Sequence, residues 1–387
     1  MKICGIICEY NPFHNGHAYQ IEQAKKLSNA DAILCVMSGN FVQRGDAAVL
    51  DKYTRAKHAV RAGADIVVEL PTVFATSNAE IFATGGVKLL NSIPAVTHIC
   101  FGAESADKSA FLTAAKALNN EPADVSKRIK TLVADGKSYA RARAEAWQGK
   151  LPDELLHAPN NILGLEYTKA LLKLQSSIEI LPVERMGSGY LDTNLHGEYA
   201  SATAIRSGME TCADFQRFVP AFVAADLPNR LQNALQTLEK YAVLARAKEE
   251  IAQTPDCGEG LENALKEAAK TGVSDIVETL TSARYTSARI RRILLQNLLK
   301  IDRNLISESV NSPLYLRVLA AKKERSDVLS ALSEANYPIL ARAYDDQKLC
   351  TTALQCLEID RFAESVYRLL YPNTEKEKSV FIGKTES

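Results

Sequence analysis

The 387-residue sequence has no excess of either charge: 46 lysines and arginines balance 46 aspartates and glutamates. An overall basic field is thereby excluded, and any nucleic-acid surface has to be a local patch. No Cys-x-x-Cys pair occurs among the eight cysteines, which argues against structural zinc. Residues such as Cys4 and Cys35 fall in apolar runs, where a thiol packs as a small hydrophobe. No stretch approaches the roughly 20 apolar residues that span a bilayer, and the amino terminus shows one lysine and no cleavable apolar segment. There is no internal repeat. These absences describe a soluble globular chain of a reducing cytoplasm, long enough for two or three domains.

What is present is an alternation. Lys2 to Cys8 is an almost unbroken apolar run, as in a parallel strand covered on both faces. Ala32 to Met37, Asp65 to Leu70 and Thr97 to Phe101 repeat the pattern, with Asp51 to Arg61 and Asn78 to Leu90 reading as helices between them. Such alternation implies right-handed crossovers and a Rossmann-like, doubly wound parallel sheet. Residues 104 to 150 turn charged and alanine-rich, which marks a helical insertion. A last strand, Ile178 to Val183, leads into a glycine-rich loop, Met186 to Tyr190. Beyond Ala204 the spacing is helical almost throughout, as in Asn229 to Glu250 and Ile290 to Leu299. The expected architecture is α/β over residues 1–210, followed by a mainly helical domain over 211–387 whose polar tail, from Asn373, frays.

The first strand ends in Cys8-Glu9-Tyr10-Asn11-Pro12-Phe13-His14-Asn15-Gly16-His17. Asn11-Pro12 stops the strand, and helical spacing from Asn15 to about Ser28 puts His14 and His17 three residues apart on one face of a first turn. Free backbone N–H groups and the positive end of the helix dipole favour an anion there, and Gly16 lets it approach the backbone. Imidazole N–H donors can then follow charge developing on a phosphate. The position, at the carboxyl end of a parallel strand, is where open α/β sheets bind ligands.

Other groups gather at comparable places. The loop after the second strand, Ser38 to Asp46, is polar, and Gln43, Arg44, Lys52 and Arg55 are placed to border the same cleft. Gly102, at the end of another strand, leaves room for a ribose or base. Asn160 and Asn161 follow Pro159 at a helix start, where capping alone accounts for either one. In Ser201-Ala202-Thr203-Ala204-Ile205-Arg206-Ser207, hydroxyls, backbone amides and the Arg206 guanidinium suit the outer phosphates of a triphosphate, and Arg185 stands on the same rim. Thr279 to Ile301 holds Arg284, Arg289, Arg291, Arg292 and Lys300 with no acidic residue. Its stripe Ile290, Ile293, Leu294 and Leu298 leaves Arg289, Arg292 and Gln296 on a flanking face, and Tyr285 adds a ring. Arginines beside an aromatic suit an RNA backbone and an unstacked base; a solvated helix face is the structural alternative.

The strand, the Asn-Pro-x-His-x-Gly-His turn and the Ser-x-Thr-x-x-Arg helix start resemble the nucleotidyltransferase superfamily. More closely, four stretches resemble the bacterial tRNA(Met) cytidine acetate ligase family: Glu9 to His17, Ser38 to Gly45, Glu69-Leu70-Pro71 and Pro159 to Gly164. Arg284-Tyr285-Thr286 and Arg289 to Arg292 extend the likeness into the helical half. The resemblance implies an ATP-dependent ligase that activates acetate as acetyl-adenylate and passes the acetyl group to N4 of the wobble cytidine of elongator tRNA(Met). It further implies ATP contacts from Ile7-Cys8-Glu9-Tyr10-Asn11-Pro12-Phe13-His14-Asn15-Gly16-His17-Ala18-Tyr19-Gln20, from Gly102, from the Asn160-Asn161 pair and from Arg185. Asp46-Ala47 departs from the family pattern, where an acidic residue followed by proline is expected; the change is expected to loosen that loop.

In the expected mechanism acetate attacks the α-phosphate of ATP while His14, His17 and the helix terminus stabilise charge. Arg206, Ser201 and Thr203 hold the departing pyrophosphate with magnesium, and Arg284, Tyr285, Arg289, Arg291 and Arg292 meet the tRNA. No metal-ligand set and no obligate protein partner is read from the sequence. Two alternatives stay open: an adenylyltransferase acting on a small phosphorylated metabolite, and a non-catalytic RNA-binding protein that retains the fold.

Overall fold

The computed structural model describes residues 1–185, 199–211, 214–228, 234–258, 260–340, 345–372, 374 and 380–382. The glycine-rich loop Met186 to Tyr190, residues 229–233 of the expected Asn229–Glu250 helix, Cys212 and most of the tail from Asn373 lie outside them.

Five parallel strands, β1 (Ile3–Cys8), β2 (Ala32–Ser38), β3 (Ile66–Leu70), β4 (Val96–Ala103) and β5 (Glu179–Glu184), lie in the order β3-β2-β1-β4-β5. Alternate residues of each strand enter opposite cores, which is the two-residue period of a strand. Ile3, Ile7, Leu34, Val36, Ile66 and Val68 face one layer, whereas Cys4, Ile6, Ile33, Cys35 and Val67 face the other. With water excluded from both sides, the strands read as continuous apolar runs. Helices α1 (Asn15–Ser28) and α2 (Lys52–Arg61) cover the second face. The first is covered by α3 (Thr72–Ala75) and α4 (Ala79–Asn91), and by the insertion α5 (Lys108–Asn119), α6 (Ala123–Ala134), α7 (Tyr139–Trp147), α8 (Asp153–His157) and α9 (Pro159–Lys173). Strand order reverses between β1 and β4, so the crevice of the sheet opens at their carboxyl ends.

After β5 come α10 (Ala202–Thr211) and α11 (Ala221–Ala224), which join α1 and α2 on the second face. Then α12 (Leu235–Ala245), α13 (Lys248–Ala252), α14 (Leu261–Lys270), α15 (Ile276–Leu280) and α16 (Ser287–Leu298) gather around a third core that includes Val243, Leu265, Ile290 and Ile293. Helix α17 (Arg303–Asn311) leads the chain back to the sheet.

Here the structure departs from the expectation that Ile178–Val183 is the last strand. β6 (Leu316–Lys322) pairs antiparallel with β3, and β7 (Ile339–Leu340) and β8 (Val380–Ile382) pair with β6, making eight strands among the described residues. Leu-Arg-Val-Leu-Ala-Ala-Lys carries no clear strand period; pairing with the open edge of β3 decides its conformation. Helices α18 (Ser326–Ser333) and α19 (Thr351–Leu370) complete the layer. Among the described residues no helix is long and apolar enough to cross a membrane.

Candidate active site

At the end of β1 the chain turns through Tyr10, at φ +49°, and Asn11-Pro12 into α1. Asn11 Oδ1 accepts the Val49 N–H at 2.8 Å and Glu9 Oε1 accepts that of Gln43 at 2.8 Å, tying this turn to the loop after β2. His14 is the N-cap residue of α1, and its N–H donates to His17 Nδ1 at 3.2 Å. A neutral His17 therefore carries its proton on Nε2. The two rings stack, centroids 3.6 Å apart and 23° from parallel. Burial, with Arg185 and Arg206 nearby, lowers the pKa of His14 to about 3; burial, then His14 and Arg185, holds that of His17 well below 6.5. Both rings are neutral at pH 7, and each neutral imidazole has one N–H to donate. Among the described residues His14 Nδ1 is buried without a partner, a polar atom that an incoming ligand can satisfy.

Across the crevice, α10 begins beside the same turn. Ser201 Oγ accepts the Ala204 N–H at 3.0 Å. Arg206 donates to the Asn11 carbonyl at 2.6 Å and to Thr203 Oγ1 at 3.3 Å, which fixes its guanidinium above the histidine turn. Together these elements bound a cleft that reaches Glu9, Gln43, Arg44, Gly102, Asn160 and Arg185. A side branch runs past Gly16, Tyr19 and Gln20 toward Tyr199. Not all of the Ile7–Gln20 stretch faces this space. Phe13 is fully buried in the core, Ala18 packs against it, and Asn15 donates to the Arg217 carbonyl at 3.0 Å.

Two expected cleft residues are elsewhere. Lys52 is buried and pairs with Glu69 at 2.9 Å and Glu364 at 3.2 Å, while Arg317 pairs with Glu69 at 3.1 Å. Arg55 is fully buried and donates to the carbonyls of Glu9, Ser38, Gly39 and Leu50. Both cations point inward from α2, because buried carboxylates and unpaired loop carbonyls need donors. Arg55 thus clamps the loops after β1 and β2 instead of meeting a ligand.

The two asparagines also separate. Asn160 lines the cleft and donates to Glu104 Oε1 at 2.7 Å. Asn161 is fully buried, accepting the Glu104 N–H at 2.9 Å and donating to the Glu154 carbonyl at 3.0 Å. Gly102 lies under Arg185: a Cβ there would stand 3.3 Å from Arg185 Cγ. Sequence reasoning missed Glu104, although its place two residues past Gly102 at a strand end was a usable signal. It also missed Phe82, Leu163 and Tyr167, which line the cleft but read as ordinary core positions of helices.

On the basic helix, Arg291 forms an ion pair with Asp46 at 2.9 Å, and Arg292 with Asp256 at 3.7 Å. Arg289 donates to the Asp256 carbonyl and lies over the Tyr285 ring at 4.9 Å. The stretch that is free of acids in sequence is not free of them in space. Gln296 is buried rather than on a flanking face, donating to the Thr76 carbonyl at 2.9 Å, so it docks α16 onto the turn after α3. Gly45, at φ +81°, abuts α16 so closely that a Cβ would lie 2.5 Å from the Arg291 carbonyl carbon. The loop keeps its shape through Val42 N–H to Asp46 O at 3.0 Å and a bridge between Phe41 and Ala47. The basic helix thereby adjoins the cleft rim at Gln43 and Arg44.

A family model described as HIGH Nucleotidyl Transferase matches residues 1–380. A tRNA(Met) cytidine acetate ligase of Caldanaerobacter subterraneus is 38% identical over 388 residues, 96% of either chain. One of Clostridium perfringens is 36% identical over 398 residues, 97% of either chain. Apo Thermotoga maritima TmcAL superposes with a TM-score of 0.91 at 29% identity, covering 99% of this chain and 100% of that one. The same protein with alpha-thio ATP bound superposes at 0.89.

Proposed function

The chain belongs to the HIGH nucleotidyltransferase family and, within it, to the tRNA(Met) cytidine acetate ligases, and we propose that it adenylates acetate with ATP and acetylates N4 of the wobble cytidine of elongator tRNA(Met). The observation that carries this reading is the pair of neutral, stacked histidines at the start of α1, facing Arg206 across the sheet's switch point. The nucleoside of ATP lies over Gly102 beside Arg185, with Asn160, rather than Asn161, at its edge. The triphosphate runs along the amino termini of α1 and α10. A carboxylate oxygen of acetate bonds to the α-phosphorus as the bond to pyrophosphate breaks. His14 and His17 N–H groups stabilise the oxygens that gain charge, and Arg206, Ser201 and Thr203 hold the departing pyrophosphate.

Among the described residues no group of three His, Cys, Asp or Glu side chains is placed to hold a metal. Magnesium, where it accompanies ATP, would be held by the phosphate oxygens and water and would offset charge on the triphosphate beside Arg206, Ser201 and Thr203. In the second step the cytidine amine attacks the acetyl carbonyl and AMP leaves. Residues 1–210 carry ATP chemistry; 211–387 supply tRNA contacts through Arg284, Tyr285, Arg289, Arg291 and Arg292, while also returning β6–β8 to the sheet. The test is incubation with ATP, labelled acetate and total tRNA, followed by nucleoside analysis. Label in N4-acetylcytidine is expected; label absent from nucleosides, with AMP attached to a metabolite, would establish an adenylyltransferase instead.

A further inference from the structure

The cleft has two unlike walls. His14, His17, Ser201, Thr203 and Arg206 stand on the α1 and α10 side. On the α4 and α9 side the lining is Ile7, Phe82, Phe101, Leu163 and Tyr167, with Asn160 at the rim. This apolar wall is built from the sheet outward. Ile6 pairs with Cys100, so Ile7 and Phe101 lie side by side on one face of neighbouring parallel strands. Phe82 is one turn before Gly86, where a Cβ would stand 2.5 Å from Ile7 Cδ1, so that face of α4 is seated on the last residues of β1. Gly164 likewise lets α9 close on the Phe101 ring, and Tyr167 meets that ring at 5.8 Å between centroids. The wall thus starts at Ile7, two residues before the turn that carries the histidines.

Its exposure tells what it can hold. Phe82 is 2% exposed, Phe101 4% and Tyr167 4%, so little of any of these rings reaches the cleft. A stacked base needs an open face; a methyl group needs only an apolar edge. We propose that this wall is the acyl subsite, which receives the hydrocarbon part of a small aliphatic carboxylic acid and limits its length, with Phe82 and Leu163 as the residues that close it. The inference rests on the acid-adenylating reading above. In that step the tail is a spectator, so the wall acts by selection: one methylene in such a pocket is worth about 10- to 200-fold in kcat/KM.

Acid-dependent exchange of labelled pyrophosphate into ATP tests this with acetate, propionate and butyrate, using the wild-type chain, Phe82→Leu and Leu163→Ala. The ratio of propionate to acetate kcat/KM within one preparation does not depend on the folded fraction, so partial misfolding leaves it readable. Acetate preferred by the wild type, and a ratio raised about tenfold or more in either variant, is expected. A ratio unchanged in both variants, with acetate exchange intact in the wild type, would overturn the subsite alone. Absence of acid-dependent exchange in the wild type would remove the reading beneath it as well.

Discussion

His14 and His17 show how burial sets chemistry one side chain at a time. Each ring is neutral because the folded chain withholds water from it and sets cationic neighbours nearby, not because of any unusual hydrogen bond. The sign of the linkage follows. A folded-state pKa lowered to about 3 for His14, against about 6.5 for an exposed histidine, leaves stability whole above about pH 6.5 and erodes it progressively as pH falls from there toward 3. By NMR, the His14 Cε1 resonance of the free protein is expected to hold its neutral position from pH 8 to pH 5, and to acquire a higher pKa once a nonhydrolysable ATP analogue brings negative charge. A midpoint near 6.5 in the free protein would contradict the geometry. The histidines, Gly102 and Arg206 were legible because strand ends and helix starts can be located by period. Whether a cation faces inward was not: Lys52 and Arg55 belong to α2 as expected, but Glu69, Glu364 and the loop carbonyls that claim them are distant in sequence.

At the scale of elements, the contact between α16 and the loop after β2 joins the basic helix to the cleft. Gly45 makes it possible twice over, through its positive φ and through the absence of a Cβ against the Arg291 backbone. Replacing it with alanine costs about 1–2 kcal/mol for the left-handed conformation alone, and the contact adds to that. Gly45→Ala is expected to lower the urea midpoint and to weaken tRNA binding measured by fluorescence anisotropy. Unchanged affinity would mean that this junction does not position the helix for RNA. Parallel strands and their helices were readable because both-face burial writes continuous apolar runs. β6 was not, since its Leu-Ala composition suits a helix equally and only the edge of β3 decides. The flanking face assigned to Gln296 failed for a related reason: α16 packs on two sides, against its own helical neighbours and against the turn after α3.

Taken whole, the molecule is a neutral chain in which position replaces net charge. The sheet reverses direction between β1 and β4, two helix starts converge there, and the later chain returns through β6 to close the edge of β3. The general plan was legible from the first hundred residues, whereas the return was not, because it depends on a pairing 250 residues apart. In the proposed reaction the cleft activates a small acid by binding charge on the α-phosphate. Acetate-dependent exchange of labelled pyrophosphate into ATP, compared between the wild type and His17→Ala, measures that step. The wild type should exchange only when acetate is present, and His17→Ala should lose about a hundredfold to a thousandfold while keeping its circular dichroism spectrum. Full exchange by the folded variant, or exchange by the wild type without acetate, would contradict the account.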